Sequence, residues 1–370
     1  MDSRTVRRRR AAVAVGCGLA IGAFAFGVTL GDGEEGSQSA ASQLSRSQLA
    51  GQRVITGFEG TSPPAEVRRM VREGAVAGVI LFADNVPSRA AGRRLIARLQ
   101  SIPRPRGLRD PLLVMVDQEG GLVKRLSGAP DGSAREMGER GPAFSREQGR
   151  RTALNLRNVG VNVNLAPVLD VGRPGGTIAE TDRAFGSTPA AVEGSAIPFA
   201  EALQAGGVAA TGKHFPGFGS ARVNTDFAVQ RLGISKARLR RVDEAPYRPY
   251  IAAGGDLVML STAIYTAFSG RPAAFTRSIA TTELRGRLGF DGVSITDALE
   301  SVAVRAFGGA AKAGLAGARA GVDLLLYVDP AAARAGQRAL SRGLASHALS
   351  RAAFEQSAGR VLRLRHGLSR

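Results

Sequence analysis

The chain has 370 residues, 44% of them hydrophobic, which is enough to bury one large core. Its formal net charge is +19, from 50 Lys+Arg against 31 Asp+Glu. That surplus favours anionic surroundings such as an acidic polymer, but nucleic acid is disfavoured: the arginines are scattered, Trp is absent and aromatics make up only 5%. The one cysteine, Cys17, lies in the leader, so disulfides, thiolate chemistry and a cysteine-based metal site are excluded from the body, and the three histidines, His214, His347 and His366, disfavour a histidine-rich metal site.

Arg7–Arg10 precede an uncharged run from Ala11 to Gly31, the pattern of an export signal or, if uncut, a membrane anchor. Residues 1–31 are therefore read as leader. Residues 32–52, rich in Gly, Ser, Gln and acids, read as a flexible linker, and 53–370 as one body. This places the body outside the cytoplasm, with the membrane involved only through the leader.

From Arg53 on, apolar runs alternate with Ala/Arg/Leu-rich amphipathic stretches, which argues for β-α repeats and a parallel sheet. The strands fall at 54–56, 76–82, 112–116, 161–165, 208–211, 257–260, 293–296 and 322–327. The intervening helices fall at 65–72, 88–100, 146–158, 189–205, 235–253, 276–288, 306–320 and 330–345. Eight strand-helix pairs predict an α/β fold of the (β/α)8 TIM-barrel type, with a final helix at 351–365 packed outside. A doubly wound open sheet is the alternative, but no glycine-rich phosphate fingerprint follows the first strand.

Polar residues gather at the predicted strand ends. Asp117-Gln118-Glu119 follows the third, Asn164 closes the fourth and leads to Asp170, Lys213-His214 follows the fifth, and Thr296-Asp297 closes the seventh. Barrel active sites are assembled on that face. An Asp after a strand also commonly caps the next helix, which is the structural alternative for Asp297. The stretch Gly212-Lys213-His214-Phe215-Pro216-Gly217 concentrates a cation, an imidazole and turn residues where folding alone needs none of them.

Taken together, Val116-Asp117-Gln118-Glu119-Gly120-Gly121, Lys124-Arg125-Leu126, Asn164 to Asp170, Arg183-Ala184-Phe185-Gly186, Lys213 to Gly217 and Thr296-Asp297-Ala298-Leu299 resemble glycoside hydrolase family 3. The similar branch is the single-domain β-N-acetylhexosaminidases, which trim N-acetylglucosamine from cell-wall fragments. The resemblance implies a saccharide substrate, a monomer without cofactor or metal, and a retaining mechanism through a covalent glycosyl-enzyme. By the same resemblance Asp297 is the nucleophile, while Asp117, Arg125, Arg183, Lys213 and His214 hold the terminal sugar.

The general acid departs from the family pattern, which is a His with an Asp two residues before it. Aligned without gaps from Lys213, those positions hold Asp226 and Asn224. A two-residue insertion would instead leave Ala228 at the His position. On the gapless alignment Asp226 serves as acid/base, provided that burial or the Asp297 charge raises its pKa. Otherwise Asn224-Thr225-Asp226 is a polar surface turn. Two further readings follow: a catalytically impaired wall-saccharide-binding protein on the same barrel, or a hydrolase for another β-glycoside. Ser261-Thr262-Ala263, where many relatives carry a His, leaves substrate preference open. His347 and His366 are read as surface residues.

Overall fold

The computed structural model describes residues 36, 37 and 39–369, so the leader lies outside the described residues. Eight parallel strands form one sheet: β1 (Val54–Thr56), β2 (Gly78–Ile80), β3 (Leu113–Val116), β4 (Val163–Asn164), β5 (Ala209–Phe215), β6 (Leu257–Leu260), β7 (Val293–Thr296) and β8 (Leu325–Tyr327). Each pairs with the next in sequence, and β8 returns to pair with β1, Val54 opposite Leu325. The last seam, β7 to β8, is made by the Ile295–Leu324 bridge and by Thr296 N–H donating to Leu324 O at 3.0 Å. The sheet is thus a (β/α)8 barrel, not a doubly wound open sheet.

Period-2 alternation divides the apolar residues between two layers. Ile55, Ile80, Leu113, Met115, Leu257, Met259, Ile295 and Leu326 fill the barrel interior. Val54, Val79, Val114, Val258 and Leu325 face the helices. Both faces are buried, which explains why these strands read as nearly unbroken hydrophobic runs.

The helices start where the sequence offers caps. Ser88 caps Arg89–Gln100, Thr188 followed by Pro189 opens Pro189–Ala205, and Asp329 followed by Pro330 opens Pro330–Ala345. The helix expected at 235–253 is broken into Lys236–Arg238, a wider-wound turn Leu239–Asp243, and Tyr247–Ala252. Pro246 and Pro249 remove backbone donors that a continuous helix would require.

Two expectations are corrected. The linker reading of 32–52 fails over its second half. Ser45 forms a capping box with Gln48, and the helix Arg46–Gly51 buries Leu49 and Ala50 in the core. The serines and glutamines that suggested a linker are capping and anchoring groups: Gln337 Nε2 donates to Ser47 O at 2.9 Å. The final helix, Arg351–Gly367, does not lie outside the ring. Val361 joins the interior cluster, with Leu364 packed against it, so this helix closes the amino end of the barrel.

Candidate active site

β3 runs into Asp117 and then a short antiparallel ribbon, Gln118–Gly120 with Val123–Lys124. Gln118 is fully buried and satisfied on both ends of its amide. Its Nε2 donates to Leu126 O (2.8 Å) and Ala129 O (2.9 Å), and its Oε1 accepts from the N–H groups of Arg125 and Leu126, both at 2.9 Å. From β4, Asn164 clamps the same turn, accepting from Gln118 N–H and donating to Gln118 O, each at 3.0 Å. Two amides thereby hold Asp117, Glu119 and Arg125 at the carboxyl face.

In β5 the pairing with β6 shifts register between Lys213 and Phe215. A regular strand would send consecutive side chains to opposite faces, whereas the irregularity lets both Lys213 and His214 line the pocket. The Lys213–His214 and Phe215–Pro216 peptide bonds are cis. Gly217 follows at φ 126°, and a Cβ there would stand 2.5 Å from Asp243 Cβ, so only glycine fits.

A chain of alternating charges crosses the floor. Arg183 makes a two-pronged pair with Glu119 (2.8 and 2.9 Å), Lys213 Nζ lies 2.6 Å from Glu119 and 2.7 Å from Asp117, and Arg125 stands 3.6 Å from Asp117. Burial alone would raise the Glu119 pKa, but the Arg183 and Lys213 charges outweigh it and hold the carboxyl well below its usual range. Burial likewise opposes the Lys213 charge, yet Asp117 and Glu119 carry its pKa above the ordinary lysine value. Arg183 is raised in the same way by Glu119.

His214 is oriented from behind. Its Nδ1 lies 2.7 Å from Asp170 Oδ2, and Asp170 Oδ1 accepts the N–H groups of His214 (3.2 Å) and Phe218 (2.6 Å). The second ring nitrogen is left for the pocket.

Asp297 does not cap a helix. The next one, Val302–Arg305, starts from Ser301, and Asp297 Oδ1 accepts its neighbour Ala298 N–H at 2.7 Å. Its carboxylate lines the same cavity as Asp226, Asn224 and Thr225. Thr225 is buried, and its carbonyl accepts Ala303 N–H at 3.2 Å, which ties the Asp226 turn to the segment after Asp297. Asp226 keeps an exposed outer side. On its inner side, burial and then the Asp297 charge push its carboxyl above the ordinary range.

All seven residues singled out in the sequence therefore line one cavity: Asp117, Arg125, Arg183, Lys213, His214, Asp226 and Asp297. Ser261 joins them, while His347 and His366 are exposed on the surface as expected. Glu119 and Asp170 stand in the same motifs, but the resemblance assigns them no role. Their signal was position alone, since both follow strand ends, and only the fold reveals Lys213, Arg183 and His214 as their partners. Among the described residues no helix is long and apolar enough to cross a membrane.

The chain matches the model of the glycosyl hydrolase family 3 N terminal domain over residues 42–364. It is 37% identical over 331 residues to an uncharacterized secreted glycosyl hydrolase of Arthroderma benhamiae, covering 86% of this chain and 93% of that protein. It is 33% identical to a beta-hexosaminidase of Tolumonas auensis, covering 81% and 88%. A glycoside hydrolase family 3 beta-N-acetylglucosaminidase from Paenibacillus sp. str. FPU-7 superposes with a TM-score of 0.84 at 33% identity. That match covers 88% of this chain and 63% of the Paenibacillus chain. The beta-N-acetylhexosaminidase of Beutenbergia cavernae gives a TM-score of 0.81 at 30% identity, covering 87% and 99%. Barrel, site and relatives define a glycoside hydrolase, whose substrate is a saccharide. The chain belongs to glycoside hydrolase family 3.

Proposed function

We propose that the protein is an exported, retaining β-N-acetylhexosaminidase that releases terminal N-acetylglucosamine from cell-wall-type saccharides. The observation that carries this reading is the convergence of Asp226 and Asp297 on one cavity floored by the Arg183–Glu119–Lys213–Asp117 chain. Export is supported by the leader pattern and by the name of the secreted Arthroderma benhamiae relative. The sugar is supported by the names of the hexosaminidase relatives.

In this reading Asp297 attacks the anomeric carbon, and its charge also stabilises the oxocarbenium-like transition state. Asp226, its pKa raised, protonates the departing oxygen and then deprotonates the incoming water. Asp117, Arg125, Arg183, Lys213 and His214 hold the sugar hydroxyls through charge-assisted hydrogen bonds. They are paired with one another or with Glu119 and Asp170 before the sugar arrives, so the site is organised in advance.

The test is hydrolysis of an aryl N-acetyl-β-glucosaminide by the pure protein. Asp297→Ala should lower turnover on the order of 10⁴-fold or more, with the fold retained. No turnover of any aryl β-glycoside by the native protein would overturn the reading.

A further inference from the structure

The Asp226 turn contains a closed pair of hydrogen bonds. Asp226 N–H donates to Asn224 Oδ1 at 3.1 Å, and Asn224 Nδ2 donates to Asp226 Oδ2 at 3.1 Å. The first bond fixes which end of the amide is oxygen, because a backbone N–H needs an acceptor. The NH2 group must then face Asp226. The turn is also held on the backbone: Asn224 O accepts the N–H groups of Phe227 (3.0 Å) and Ala228 (3.2 Å).

An amide N–H can only donate. Asp226 Oδ2 must therefore present a lone pair, and a carbonyl oxygen accepts better than a hydroxyl oxygen, so the donor favours the acid proton on Oδ1. We propose that Asn224 is a positioning residue that assigns the acid proton of Asp226 to Oδ1. This deepens the reading above and rests on Asp226 being the acid. In the first half-reaction the bond from the anomeric carbon to the leaving oxygen breaks. The electron pair goes to that oxygen, which takes the proton from Asp226 Oδ1. A carboxylate oxygen of Asp297 forms the new bond to carbon, and Asp226 is left ionised, with the Asn224 donor already on its other oxygen.

The titratable groups facing Asp226 come from three strand ends: Asp297 after β7, His214 in β5 and Asp117 after β3. The two carboxylates favour the protonated form, whereas His214 and the Asn224 donor favour the ionised one. Removing the donor should therefore keep Asp226 protonated to higher pH.

The informative variant is Asn224→Asp. It retains an acceptor for Asp226 N–H, and so the turn, but replaces the donor with a carboxylate whose charge adds to the shift, so Asn224→Ala is needed beside it to remove the donor without adding charge. On the full-length enzyme, the alkaline limb of the pH profile of kcat/KM should move to higher pH. Activity on an alkyl N-acetyl-β-glucosaminide should fall about tenfold, with a dinitrophenyl glycoside nearly spared. Asn224→Ala should move the limb in the same direction. Thermal unfolding of each variant serves as the control for folding. An unmoved alkaline limb, or equal loss on both substrates, overturns the proposal. Asp226→Asn separates the two layers: if it spares the dinitrophenyl substrate while Asn224→Asp leaves the limb in place, only the role of Asn224 falls. If Asp226→Asn affects both substrates equally, the acid assignment falls and takes the Asn224 proposal with it.

Discussion

Asp170 and His214 are joined behind the site: His214 Nδ1 lies 2.7 Å from a carboxylate that is fully buried and also accepts two backbone N–H groups. One side chain thus fixes both the imidazole ring and the backbone from His214 to Phe218.

Asp170→Ala should strand all three donors and cost about 3 kcal/mol or more in urea unfolding. Asp170→Asn is the milder change. It can still accept from the backbone, but it presents N–H to His214 Nδ1 and forces the other tautomer. Its stability should stay closer to that of the native protein, while kcat/KM on an aryl N-acetyl-β-glucosaminide drops about tenfold or more.

Lys213 Nζ is the shared counterion of Asp117 and Glu119. Lys213→Met leaves Asp117 without its close partner and Glu119 with Arg183 alone, and should destabilise the fold by about 3–5 kcal/mol at neutral pH. The sign follows from linkage. The Glu119 carboxyl is depressed, so its stabilisation is complete above the ordinary value of 4.5 and fades as pH falls toward the folded value. The Lys213 pKa is raised, so its contribution is complete below 10.5 and is lost as pH climbs through the folded value. Without Lys213, Glu119 is less depressed, and acid unfolding should begin at a less acidic pH. Urea titrations between acid and neutral pH measure this.

Glu300 lies three residues past Asp297, and burial pushes its carboxyl up to about 7. Its Oε2 accepts Val328 N–H at 3.2 Å, while Oε1 is buried without a partner. A raised acid favours the protonated folded state, so it penalises folding increasingly as pH rises from 4.5 to about 7. Glu300→Gln should keep the Val328 contact and remove that penalty. The variant should gain on the order of 2 kcal/mol over the native protein at pH 8 and little at pH 4, as read by thermal unfolding at the two values.

The strands were the most legible part of the sequence. β1, β6 and β7 fall on the residues their largely apolar runs mark, because every position in them is buried. β5 reaches four residues beyond its apolar run, to Phe215, because Lys213 and His214 remain in the sheet as paired, buried polar groups. Composition concealed the opening helix, since Ser45, Ser47 and Gln48 look like linker until their caps and anchors are seen. At the site, the directly facing groups were visible from strand-end position. The supports were not: Asn164 meets Gln118 across 46 residues, Asp170 meets His214 across 44 and Glu119 meets Arg183 across 64. No local pattern reports such partners.

The helix Arg46–Gly51 enters directly at the amino end of β1, beside the floor closed by Arg351–Gly367. The sugar pocket opens at the opposite pole. The described chain just upstream of Ser45 stays packed on the body as well, with Ala41 and Leu44 in the core and Ser42 O accepting from Arg351, and none of its residues lines the cavity that holds Asp226 and Asp297.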